Sequence, residues 1–74
     1  MEIGMLWFDD NPGRSLSEKI QHAADYYRDK YGRLPAVCQV NPAEGPTPDR
    51  VGGISVQKSG IVLRGHLWLG VEEA

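Results

Sequence analysis

The sequence predicts a small α+β protein, an α/β two-layer arrangement in the order β-α-β-β-β. One helix should pack on one face of a small mixed sheet. Residues 16–31 repeat apolar side chains at helical spacing, between clear start and stop signals. The other apolar runs are short and end at Asn-Pro, Gly or Pro-rich segments, as strands do. A length of 74 residues, with 41% hydrophobic and 24% charged, suits one globular unit spanning residues 1–74 with a small core.

The first strand is read over Ile3 to Phe8. It holds large apolar residues without clean alternation, which predicts burial on both faces. Asp9-Asp10-Asn11-Pro12-Gly13 then turns the chain. Ser15-Leu16-Ser17-Glu18 fits a capping box, in which the Ser15 hydroxyl and the Glu18 carboxylate each accept from the other residue's amide. The helix runs from Leu16 to about Tyr31, with Leu16, Ile20, Ala23, Ala24, Tyr27 and Tyr31 as its apolar stripe. Gly32 and Pro35 stop it.

Ala36 to Val40 is the second strand, stopped by Asn41-Pro42. PAEGPTPD, with three prolines, is a loop. Val51 to Lys58 is the third strand, Ser59-Gly60 a tight turn, and Ile61 to Val71 a long fourth strand. Alternation puts Ile61, Leu63, Leu67, Leu69 and Val71 on one face of that last strand. Val62, Arg64, His66, Trp68 and Gly70 fall on the other. A helix joins the first two strands, so they should be parallel, adjacent or one strand apart, with a right-handed crossover. The last two strands should form an antiparallel hairpin.

One helix covers one face of such a sheet and leaves the other open. Trp68, His66 and Val62 should lie on the open face, with Trp7 or its neighbours Leu6 and Phe8 beside them. Soluble monomers rarely expose a large apolar patch, and Trp is a common interface anchor. The expected partner is a second copy in a homodimer, or another protein. The competing expectation is that the 42–52 loop and the tail fold back over the patch.

A net charge of −2 with no basic block gives no long-range attraction to phosphate or to anionic lipid. Nucleic acid is therefore an unfavoured partner. Single-stranded binding through aromatics on the open face ranks last, and Tyr26, Tyr27 and Tyr31 are a separate candidate stacking surface for bases. Those tyrosines are better explained by packing of the helix on the sheet. The single cysteine, Cys38, excludes an internal disulfide and a multi-cysteine zinc site, and suits a small core residue. MEIGMLWFDD has no basic region and too short an apolar run for a signal peptide, and no stretch suits a transmembrane helix. The expected location is the cytoplasm, with no membrane.

Asp9 and Asp10 are the other candidates for chemistry. They should sit just past the carboxyl end of the first strand, with Asn41 past the second and the helix N-terminus on the same edge. Ligands tend to bind at that edge of open α/β sheets. With Arg14, these residues form a candidate small-ligand or divalent-metal site. Adjacent residues on extended chain point to opposite sides, so turn formation and favourable placement before a helix N-terminus explain the acids more simply. His66 beside Trp68 reads as a packed residue before a base, and His22 as solvated. No phosphate-binding loop, H-E-x-x-H, G-x-S-x-G or dinucleotide fingerprint is present. No cofactor, metal or catalytic residue is assigned, and an enzyme is the less favoured class.

The stretches LWFDD, YYRDKYGRLP, VCQVNP and HLWLGVEE give a pattern of YG-x-x-P, V-N-P and a terminal W-x-G strand. Across most of the chain this pattern resembles short uncharacterised bacterial proteins. The resemblance implies no activity for any residue. The expected function is a small protein-interaction or self-assembly module that uses the helix-free face of the sheet.

Overall fold

The computed structural model describes residues 4–71. β1 (Gly4–Phe8) leads to α1 (Leu16–Tyr31), β2 (Val37–Val40), a 3-10 turn (Pro42–Glu44), β3 (Arg50–Val51), β4 (Ile54–Lys58) and β5 (His66–Gly70). The helix packs against a five-stranded mixed sheet of order β1-β5-β2-β4-β3, a small α+β fold. Ile3, expected to start the first strand, lies outside the described residues.

The helix forms where its local signals place it. Ser15 Oγ accepts from the Glu18 amide at 3.2 Å, and the Ser15 amide donates to Glu18 Oε1 at 3.3 Å. At the other end Gly32 adopts φ 77°, and its amide donates to the Arg28 carbonyl at 2.8 Å. A residue with a Cβ pays a steric penalty in that left-handed conformation, which is why glycine ends the helix. Ile20, Ala23, Ala24 and Tyr27 are the buried stripe, and Leu16 and Tyr31 pack half-buried at its ends.

β1 and β2 each run antiparallel to β5, which lies between them, so they are parallel and one strand apart. The rest of the topology corrects the sequence reading. The third strand is broken at Gly52-Gly53. Val51 faces Ile54 and Arg50 faces Ser55 across a two-residue turn, giving β3 and β4 as a hairpin. Gly52 has φ 60°, which glycine supplies without strain at the first turn position.

β4 and β5 do not form the expected hairpin. β4 pairs in parallel with β2, and β5 crosses to lie between β1 and β2. β5 thereby takes a central place, paired on both edges, with Leu67 and Leu69 buried toward the helix. The fourth strand is also shorter than Ile61 to Val71. Residues 59–65 form a loop, and Gly65 turns the chain at φ 78° before β5 begins. Ile61 and Leu63, expected to face the helix, are exposed at 88% and 68%. β1 is not buried on both faces. Met5 is buried and Trp7 packs against the core, while Leu6 and Phe8 are exposed.

The core lies between α1 and the inner sheet face. Ile20, Tyr27, Cys38, Val40 and Leu69 are its most enclosed members, joined by Met5, Leu67, Val51 and Ile54. Burial pushes the Cys38 thiol up to about 12 from 9.0, because the thiolate would lie in an apolar interior. In the unfolded chain the same thiol ionises near its ordinary value. Its contribution to stability is therefore complete below about pH 9 and declines as pH rises from 9 toward 12. In the folded state Cys38 should resist thiol-specific reagents at neutral pH, with labelling no faster than unfolding. Rapid labelling without denaturant would contradict its place in the core.

Candidate interaction face

The cross-strand register assigns every strand residue to a side. Trp7 faces Leu67 and Cys38 faces Leu69 across their ladders, so Trp7 shares the helix side with these core residues. Its ring sits 5.1 Å from that of Tyr26. Trp7 is thus absent from the open face where the sequence reading had set it as an alternative to Leu6 and Phe8. The period of two in β1 forces the exchange: turning Trp7 inward turns Leu6 and Phe8 outward. The Trp7 indole Nε1 is buried without a hydrogen-bond partner among the described residues.

The helix-free face carries Leu6 beside Trp68, Phe8 beside His66, and Gln39 beside Trp68 on the inner flank. Phe8 and His66 rings stand 4.9 Å apart and tilted. Trp68 lies across Gly4. A Cβ built on Gly4 would come within 2.4 Å of Trp68 Cζ2, so only glycine leaves room for the indole in that position. Further across, Ser55 and Gln57 of β4 and Arg50 of β3 make the face polar, since they are aligned with Val37, Gln39 and each other. The apolar part is therefore confined to the β1–β5–β2 side.

The 59–65 loop borders this apolar region. Its ends are fixed by Ser59 N–H to Val40 O at 2.8 Å and Asp9 N–H to Gly65 O at 2.9 Å. Between them, Asn41 Nδ2 donates to the Val62 carbonyl at 2.7 Å, and Gly65 N–H donates to Glu44 Oε2 at 2.7 Å. Val62 is buried, with Ile61 and Leu63 exposed on either side of it. The result is a half-open cavity of about 410 Å³ between loop and sheet, lined by Leu6, Gln39, Val62, His66 and Trp68 and rimmed by Ile61 and Leu63. His66 Nδ1 lies 3.1 Å from the Arg64 carbonyl, an oxygen that only accepts, so Nδ1 carries the proton in that contact and Nε2 is the other ring nitrogen. The loop covers part of the face, whereas the expected cover was the 42–52 loop and the tail. Residues 72–74 of that tail lie outside the described residues.

The acids and their companions at the strand ends are structural in their contacts. Asp9 Oδ1 accepts from the Asn11 amide at 3.0 Å, and Asn11 Oδ1 accepts from the Gly13 amide at 2.8 Å. These bonds build the turn into α1. Asp9 Oδ2 meets Arg14 Nη1 at 3.4 Å, so those two come together. Asp10 is exposed and borders a second hollow of about 430 Å³ with Phe8, Lys19, Glu44, Arg64 and Gly65. Asn41 spends its amide on the loop, while its Oδ1 accepts from Ala43 N–H at 2.8 Å and caps the 3-10 turn. Asp9 and Asp10 thus serve separate surroundings. Among the described residues no group of three His, Cys, Asp or Glu is arranged to hold a metal, and no helix is long and apolar enough to cross a membrane.

Asn41→Asp separates the two jobs of this side chain. The aspartate can still cap the turn. It loses the donor to Val62 and sets an oxygen against that carbonyl. A loss of about 1–3 kcal/mol is expected, with faster amide exchange across residues 59–65. Unchanged stability in urea would show that the loop is held without this bond.

Ile61, Leu63, Gln39 and Glu44 belong to the surroundings of the face; the sequence reading sets Ile61 and Leu63 on the helix side and does not single out Gln39 or Glu44. Gly60 and Gly65 bracket Ile-Val-Leu-Arg, and that pair of glycines was the available sign of a loop. Comparison of the chain with protein-family models, with curated proteins and with solved structures finds no match.

Proposed function

We propose that this chain is a small protein-interaction and self-assembly module whose contact surface is the helix-free face of the sheet. The observation that carries the reading is the joint exposure of Leu6, Phe8, Ile61 and Leu63 around Trp68, at 63%, 57%, 88% and 68% for the first four. Single exposed apolar residues are ordinary; a contiguous group bordering a tryptophan-floored cavity is the mark of a contact surface. Gln39 and His66 supply polar groups within it, and the polar β4–β3 flank supplies a rim, the usual anatomy of an interface.

Light scattering behind a sizing column tests this directly. The mass should rise from one chain toward two with concentration, and Leu6→Asp should hold it at one chain with an unchanged circular dichroism spectrum. Leu6 is exposed, so the substitution spares the core. A wild-type mass that stays at one chain throughout the range would remove the self-assembly reading.

A further inference from the structure

We infer that the partner is a second copy of this chain, and that the two copies pair through β1, antiparallel about a two-fold axis at Leu6, to make one continuous ten-stranded sheet. This rests on the reading that the chain self-assembles, and it puts the contact at the β1 edge beside the helix-free face, which the pairing itself leaves open.

The two edges of the sheet differ. β3 is an edge of only two residues, opened by Arg50 and closed by Gly52-Gly53, with Pro48 just before it. Short length, charge and proline are the usual means of blunting an edge against further pairing. β1 has none of them. Gly-Met-Leu-Trp-Phe is uncharged and free of proline, and its five-residue register with β5 runs without a bulge. An edge of this kind, left open, is a template for another strand.

The direction of its backbone groups follows from the ladder. Asp9 N–H donates to Gly65 O, one step beyond the pairing of Phe8 with His66. In an antiparallel ladder the residues that bond inward alternate with those that bond outward. Met5 and Trp7 therefore bond to β5, and the amides and carbonyls of Gly4, Leu6 and Phe8 point away from the sheet.

The sequence of β1 is complementary to itself about Leu6. An antiparallel two-fold there sets Leu6 against Leu6, Phe8 of one copy against Gly4 of the other, and Met5 against Trp7. Every outward backbone group of the strand finds a partner, in about six hydrogen bonds. A large ring is placed opposite a glycine, and that glycine is the one crossed by Trp68, so Phe8 of each copy would meet the Trp68 ring of the other. Another protein's extended segment could use the same edge, but the large-to-small match across this axis singles out a second copy.

Amide hydrogen exchange on the wild-type chain, at low and high concentration, tests the geometry. Pairing through β1 predicts that the Leu6 and Phe8 amides slow on the order of tenfold or more in the associated form. Met5 and Trp7, already bonded to β5, should change less. Leu6→Pro removes an outward donor at a position where an edge strand tolerates proline. It should stay at the mass of one chain. If that variant does not fold, the wild-type exchange pattern decides the matter. A dimer whose Leu6 amide exchanges as fast as at low concentration would overturn pairing through β1 and leave self-assembly through the sheet face standing. A single-chain mass throughout would overturn both.

Discussion

Leu69→Ala should remove most of the stability of this chain. Leu69 is fully buried in the central strand, packed in the core with Ile20, Tyr27 and Cys38. Truncation forfeits the transfer free energy of the lost carbons and leaves a cavity, at a cost of about 2–5 kcal/mol. A domain of this size, with a single cysteine and so no internal disulfide, rarely holds more than roughly 3–5 kcal/mol in total. At the lower end of that cost the midpoint of thermal unfolding should fall by roughly 8–16 °C. At the upper end no folded population should remain at 37 °C. β5 is bonded on both edges, so the strands on either side cannot easily close on the gap. Urea unfolding followed by circular dichroism is the measurement. A loss below about 0.5 kcal/mol, within the range of surface substitutions, would mean that the central placement of β5 is wrong.

Gly4→Val should displace the Trp68 indole. Valine favours extended backbone and would gain about 0.5–1 kcal/mol over glycine on that ground alone. Against this, its Cβ would stand 2.4 Å from Trp68 Cζ2 and 2.6 Å from Cε2 and Nε1. No real contact is that short, so the ring must swing off the strand. Overpacking of this kind costs typically about 1–3 kcal/mol, and the ring loses apolar contact as well. The clash outweighs the propensity gain, and a net loss of about 1–2 kcal/mol is expected. Emission of Trp68, recorded in a Trp7→Phe background so that one indole reports, should shift to the red. A blue or unchanged emission together with raised stability would show that Trp68 does not rest on Gly4. In the proposed pairing of two copies, valine would also face Phe8 of the other copy.

The two results bear on different parts of one strand ladder. Leu69 and Trp68 are neighbours in β5 and point to opposite sides. One closes the core under α1, and the other floors the face on which the proposed function depends. Loss of Leu69 should weaken folding and association together. Loss of the Gly4–Trp68 packing should leave a folded chain with an altered contact surface.

The sequence by itself determined the helix, its caps and its buried stripe, because these depend on residues within a turn or two of one another. Ser15 with Glu18, and Gly32 after Tyr31, act locally and need no tertiary partner. It also determined that β1 and β2 would be parallel, since a helical crossover between strands allows little else, and that one sheet face would lack a helix. Cys38 as a core residue followed from its apolar neighbours. What only the tertiary structure decided was which strand pairs with which. The insertion of β5 between β1 and β2 brings together residues some sixty positions apart, through a hydrogen-bond ladder that carries no local mark. The same insertion settled which of Leu6, Trp7 and Phe8 face outward, because strand register, with its period of two, chooses the side. It also turned Ile61 and Leu63 from strand residues into the exposed margin of a loop, since Gly65 at φ 78° breaks an alternation that composition alone could not tell from a strand.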